Sequence, residues 1–294
     1  MTDPWVAEAC VELPAGALMV RQSGVPDGTP LVYFHGTPSS RLETSYADGL
    51  CVELGVRMIC FDRPGYGESP ARPFSLASIA RDTADLADAL GVDRFATVGQ
   101  SGGGPFSLAA AAVLGDRVVR AGVASGAGPI SAVPELQVVL DDNDRAGLGL
   151  LPDADASAAQ FALGFEPLRQ AFAAPPAQLL AGFRSMLSPR DGELLGRPEF
   201  ATCLMAAMRE SLRHGTIGGG WDNVAWVGPW DVDLAEIRQP VLLWYGEDDP
   251  LCPPEAGRWL AEHLPTATLV LRPGEGHMGV MEHGREILEA LVAA

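Results

Sequence analysis

The chain has 294 residues, 47% of them apolar, with 38 acidic against 20 basic residues and a net charge of -18. That length accommodates one large domain or two small ones with ample material for a core, and the charge disfavours phosphate backbones and anionic lipid surfaces as partners. Every basic residue is arginine, which excludes chemistry that needs a lysine amine, Schiff bases and the P-loop among it.

From the N-terminus, MTDPWVAEACVELP lacks both the basic and the apolar stretch of a secretory leader. The five cysteines (Cys10, Cys51, Cys60, Cys203, Cys252) show no C-x-x-C spacing and read as reduced thiols of a cytoplasmic protein. No run approaches the ~18 consecutive apolar residues of a spanning helix, so no membrane association is expected. Strands are predicted at Leu31 to Gly36, Val56 to Asp62, Phe95 to Gln100, Val118 to Gly126, Val241 to Gly246 and Thr268 to Gly274. Nearly every position in them is apolar, as in parallel strands covered on both faces. Helical patterns alternate with the strands. In SLASIARDTADLADALG the residues Leu76, Ile79, Leu86 and Leu90 share a face, Asp82, Asp85 and Asp88 are expected outward, and Gly91 marks the stop. The βα rhythm predicts an α/β fold with a mostly parallel sheet flanked by helices. It fails between Gly128 and Asp231, where short helices punctuated by Pro and Gly imply an inserted helical cap. The expected division is therefore a core of residues 1–127 and 232–294 with a cap at 128–231.

Gly99-Gln100-Ser101-Gly102-Gly103 is a G-x-S-x-G sequence between a predicted strand and the helical run PFSLAAAAVLG. It fits a nucleophile elbow, in which a sharp turn lifts the serine and the helix N-terminus faces a developing oxyanion. A serine nucleophile needs a base, and the base an orienting acid. Carboxylates follow the strand VLLWYG in Glu247-Asp248-Asp249-Pro250, and a histidine follows TLVLRPG in Glu275-Gly276-His277-Met278. The order Ser, Asp, His is that of α/β-hydrolase triads.

Over essentially its full length the chain resembles the cap-bearing branch of the α/β-hydrolase fold family. HGTPSSR (His35 to Arg41) is similar to the family's HG-x-P oxyanion loop, DRPGYGES (Asp62 to Ser69) to its D-x-P-G-x-G-x-S turn, GQSGGG to its elbow, and GEDDPLCP with GEGH to its acid and base loops. The resemblance implies Asp249 as acid, with Asp248 in reserve, His277 as base, and the backbone N–H groups of Thr37 and Gly102 as the oxyanion hole. Relatives that open epoxides or cleave carbon–halogen bonds share HG-x-P but carry an aspartate nucleophile. Ser101 instead points to acyl transfer through a covalent acyl-enzyme.

Other histidines are read as structural: His283 on a partly exposed helix face, His263 and His214 as surface or packing groups, and His35 as a hydrogen-bonding support of the oxyanion loop. Arg63 and Tyr66 are read chiefly as turn residues, and Asp141 to Asp144 as a solvated acidic helix end. Met278 and Trp221 are candidate pocket walls. The expected activity is cleavage of a small to medium apolar carboxylic ester, a small-molecule substrate, without cofactor or metal and with no nucleic acid partner. The same triad on an amide, a thioester, a carbon–carbon bond or in a cyclising acyl transfer is the alternative, and a non-catalytic ligand-binding protein on this fold is the alternative from another class. Nothing in the sequence signals an oligomeric state.

Overall fold

The computed structural model describes residues 4–293. Strand β1 (Trp5–Val11) pairs with β2 (Leu18–Gly24), which leads to β3 (Thr29–Phe34), helix α1 (Asp48–Leu54) and β4 (Val56–Phe61). Next come α2 (Leu76–Ala89), β5 (Phe95–Gln100), α3 (Gly104–Leu114) and β6 (Val118–Ala124). Six helices follow before the sheet resumes: α4 (Asp142–Gly149), α5 (Ala154–Ala171), α6 (Pro176–Arg184), α7 (Pro189–Leu194), α8 (Pro198–Ser211) and α9 (Ile217–Trp226). The chain closes with β7 (Val241–Gly246), α10 (Pro254–His263), β8 (Ala267–Arg272), α11 (Gly279–Glu282) and α12 (Gly284–Val292).

The eight strands form one sheet in the order β1-β2-β4-β3-β5-β6-β7-β8. β1 and β2, and β2 and β4, run antiparallel, and every other pair is parallel. All six predicted strands are present, two of them with the expected ends and the others with ends that differ by at most two residues. The first hairpin was not expected. β1 is a half-exposed edge strand, and β2 buries Arg21, whose Nη1 reaches Asp48 Oδ1 at 2.9 Å, so neither shows the continuous apolar run on which the other strands were read.

Helix α2 starts at a capping box formed by Ser75 and Ser78 and stops at Gly91, whose φ of 69° suits glycine. Leu76, Ile79 and Leu86 are buried as expected. Asp82 is not turned outward: it is buried, with Arg72 Nη2 donating to its carboxylate at 2.5 Å, because a cation from the preceding loop compensates the charge. Asp141 caps α4 through a capping box with Asp144. The helical pattern GVMEHGREILEALV breaks at His283, which joins α11 to α12. Its Nε2 meets Glu275 Oε1 at 2.8 Å, a part-buried hydrogen bond at the junction of the two short helices and not on a continuous helix face. Among the described residues no helix is long and apolar enough to cross a membrane.

Candidate active site

The sheet brings four loops to one edge. Phe34 pairs with Gly99, so the segment His35-Gly36-Thr37 leaves β3 beside the turn at Ser101. Gly246 pairs with Arg272, so the loops carrying Asp249 and His277 also leave neighbouring strand ends.

Ser101 has φ of 54°, a left-handed conformation that costs a non-glycine residue of order 1–3 kcal/mol and is held only by surrounding structure. The glycines around it are required by contact. A Cβ on Gly99 would lie 2.1 Å from the Gly103 carbonyl oxygen, and one on Gly103 2.1 Å from that of Phe34. A Cβ on Gly102 would lie 2.2 Å from Thr37 Oγ1. The turn thus runs straight into the N-terminus of α3, whose first turn carries Pro105 in place of one unbonded N–H.

Asp249 is buried and fixed on both sides. Its Oδ1 accepts from the backbone N–H groups of Leu251 at 2.8 Å and Cys252 at 2.9 Å, and its Oδ2 meets His277 Nδ1 at 2.8 Å. This pairing leaves Nε2 of the imidazole as the group able to take a proton. Burial alone would lower the His277 pKa, but the Asp249 carboxylate, with smaller contributions from Asp191 and Glu43, raises it above the ordinary 6.5. Asp248, the neighbour in reserve, is exposed. Ser101 and His277 line the same cavity of about 270 Å³. Among the described residues they share no hydrogen bond; the Ser101 hydroxyl lies against the Cys252 thiol, which burial pushes well up.

The segment His35-Gly36-Thr37, expected to be the oxyanion loop, is held from several directions. Gly36 N–H donates to Glu43 Oε2 at 3.0 Å, and Tyr33 Oη donates to Glu43 Oε1 at 2.7 Å. Glu43 lines the cavity, and burial raises its pKa. The Thr37 N–H donates to no protein group among the described residues. His35 is neutral: burial and then Arg63 push its pKa well below the ordinary value, its Nδ1 donates to Gly36 O at 2.8 Å and its Nε2 accepts from Arg63 N–H at 3.2 Å. It supports the loop, as read from the sequence.

Sequence reasoning missed Asp222. This fully buried carboxylate of α9 receives Arg63 Nε at 2.7 Å and Nη2 at 2.6 Å, Thr37 Oγ1 at 2.6 Å and Tyr66 Oη at 2.8 Å. Arg63 also donates to the carbonyls of His35 at 2.7 Å and Gly36 at 3.2 Å. Arg63 of the DRPGYGES turn is therefore half of an ion pair that ties the His35-Gly36-Thr37 segment to α9. Trp221, expected at the pocket, is buried in the main core cluster, outside the residues that line the cavity. The physical reason is the close seating of α9 on α5, where a Cβ on Gly220 would lie 2.1 Å from the Ala158 carbonyl oxygen. The cavity walls are instead Leu168, Phe183, Met186, Leu204 and Met208 from the insertion, with Met278 as expected.

A family model described as alpha/beta hydrolase fold matches residues 29–284. The chain is 30% identical to a non-heme chloroperoxidase of Streptomyces lividans, with 90% of each chain covered. It is 29% identical to a bifunctional esterase/perhydrolase of Acinetobacter calcoaceticus, with 86% of each covered. Its structure superposes on that of a bromoperoxidase from Bacillus anthracis with a TM-score of 0.70 at 20% identity, over 98% of this chain and 100% of the other. With the sheet order, the elbow and the matched family model together, the chain belongs to the alpha/beta hydrolase fold family.

Proposed function

We propose that the protein is a serine hydrolase that cleaves small to medium apolar carboxylic esters through an acyl-enzyme on Ser101. The observation that carries the reading is a buried Asp249–His277 pair at 2.8 Å whose histidine lines the same cavity as a serine held at positive φ before a helix N-terminus. Esterase relatives such as that of Acinetobacter calcoaceticus support a hydrolase acting on esters.

As substrate seats, the Ser101 side chain turns to the imidazole, a hydrogen bond that tightens in the reacting complex. Oγ attacks the ester carbon while His277 Nε2 takes its proton. The tetrahedral oxyanion is met by the N–H groups of Thr37 and Gly102. His277 returns the proton to the departing alkoxide oxygen, leaving the acyl group on Ser101. Water then attacks the acyl carbon with His277 again as base, and Ser101 is regenerated with release of the acid. Asp249 keeps the Nδ1 proton in place and stabilises the imidazolium. No step calls on a cofactor.

The cavity, about 270 Å³ and walled largely by Leu, Met and Phe side chains, lies just below the range of about 300–1,000 Å³ of ligand pockets, which suits a short to medium acyl group. The inserted segment 128–231 acts as its cap, and free buried thiols such as Cys51 and Cys60 suit a cytoplasmic location. Chain-length series of p-nitrophenyl esters and matching anilides test the substrate class. Turnover is expected on the short and medium esters and not on the anilides; preference for the anilides would overturn the ester assignment.

The pH profile tests the base. His277 must be neutral to accept the serine proton, so activity falls as pH drops through its pKa, and that pKa is raised in the folded protein. The acid limb of kcat/KM is therefore expected to have its midpoint above 6.5, the ordinary histidine value. A flat profile between about pH 5 and 8 would contradict a histidine base.

A further inference from the structure

The backbone of the base loop is held by a carboxylate that the reaction itself does not use. Asp191 lies in α7, within the inserted helices, and is completely buried. Its Oδ2 accepts from the His277 N–H at 2.9 Å, and its Oδ1 from the Met278 N–H at 2.8 Å. Ser188, the N-cap of α7, donates its hydroxyl to Oδ2 at 3.0 Å and in turn accepts from the Asp191 N–H at 3.2 Å. Among the described residues no arginine or histidine forms a salt bridge with Asp191; its two oxygens are taken up by hydrogen bonds. The fit is tight, because a Cβ on Gly276 would lie 2.1 Å from Asp191 Oδ2 and 2.2 Å from Ser188 Oγ. A second tie fixes the same pair of elements: Arg190 Nη2 reaches both Glu282 carboxylate oxygens at 2.6 Å.

We infer that Asp191 is a positioning residue for the base: its two oxygens clamp the consecutive N–H groups of His277 and Met278, and so aim the imidazole at Asp249 and the cavity. The inference rests on the reading of His277 as the base. A histidine on a loop between β8 and α11, flanked by Gly276 and Gly279, has backbone freedom that the Asp249 hydrogen bond alone does not remove. Two N–H donors facing a buried space also need acceptors, and β8 supplies none. The inserted helices are thus part of how the catalytic geometry is built, in addition to walling the pocket.

Asp191→Asn keeps the size of the side chain and one acceptor, but turns an amide toward one of the two N–H groups and removes the charge. A displacement of the imidazole by about 1 Å can cost up to about 100-fold in rate, so kcat per titrated active site is expected to fall at least several-fold with KM nearly unchanged. The carboxyl groups facing His277 are those of Asp249, Asp191 and Glu43, and each pushes its pKa up. Removing one of the three moves the acid limb to lower pH, a shift that a role confined to folding stability would not produce. Wild-type kcat per active site with an unmoved acid limb would overturn the inference. If Asp191→Asn fails to fold, Gly276→Ala serves, because it wedges the clamp open and keeps the carboxylate; it should lose kcat per active site, and wild-type kcat there would overturn the inference. Ser101→Ala separates the two levels. An active Ser101→Ala enzyme sinks the proposed function itself, whereas an inactive one beside a fully active Asp191→Asn sinks only the role of Asp191.

Discussion

Ser101→Ala is expected to reduce ester turnover by about 10⁴-fold or more while leaving the fold and substrate binding intact. The size follows from losing covalent catalysis as a unit: without the nucleophile, the base and its orienting acid have nothing to activate, and only the oxyanion donors and binding remain. The side chain removed is small and borders the cavity, and alanine relieves none of the backbone strain at φ of 54°, so the melting temperature should hardly change. Steady-state assay with p-nitrophenyl butyrate, beside a thermal melt, checks both parts. Turnover within tenfold of wild type would remove Ser101 from the mechanism.

Asp222→Ala should have the largest effect on stability. It strands Arg63, a guanidinium with 0% side-chain exposure, without its counter-charge, and it deprives Thr37 Oγ1 and Tyr66 Oη of an acceptor. Breaking a buried pair from one side costs about 3–5 kcal/mol, because the remaining charge keeps its full desolvation penalty. The remaining carbonyl contacts of Arg63, to His35 and Gly36, offset only part of that. A urea unfolding curve should show the midpoint lowered with the slope unchanged. On the proposed role of Thr37 the same variant should also lose activity, since the contact that holds Thr37 Oγ1 is removed. An unchanged unfolding midpoint would mean that water or another group reaches Arg63 and that the tie between α9 and the oxyanion loop is weak.

What could be read from the sequence follows from how far apart the interacting residues are. The elbow at Ser101 is legible because its requirements are local: Gly99 and Gly103 are small since a Cβ on either would strike backbone within the turn or on the adjacent strand β3. The carboxylates at 247–249 and His277 are legible because each follows a strongly apolar strand, β7 or β8, and strand ends fix where the next loop goes; only the family resemblance singles out Asp249 among them. The supports of the site escaped notice. Asp191 and His277 are 86 residues apart, and Thr37 and Asp222 are 185 apart, and neither carboxylate stands in a motif. In sequence Asp191 looks like the first-turn acid of a short helix, and Asp222 follows a tryptophan that invited the pocket assignment. The glycine run of α9 was the available signal: Gly218, Gly219 and Gly220 let the helix sit against Gly65, Phe165 and Ala158, which places position 222 at the oxyanion loop and position 221 in the core. The burial of Asp82 has a related cause, since its compensating Arg72 lies in the preceding loop, outside the helical pattern.

Intact-protein mass after incubation with a fluorophosphonate, run on wild type and Ser101→Ala in parallel, tests the activated serine directly. The expected result is a single adduct on the wild type and none on the variant, with labelling that slows as the pH is lowered through the His277 titration. Folded wild-type protein that takes up no adduct, or a Ser101→Ala variant labelled as fast as wild type, would contradict a nucleophile at Ser101.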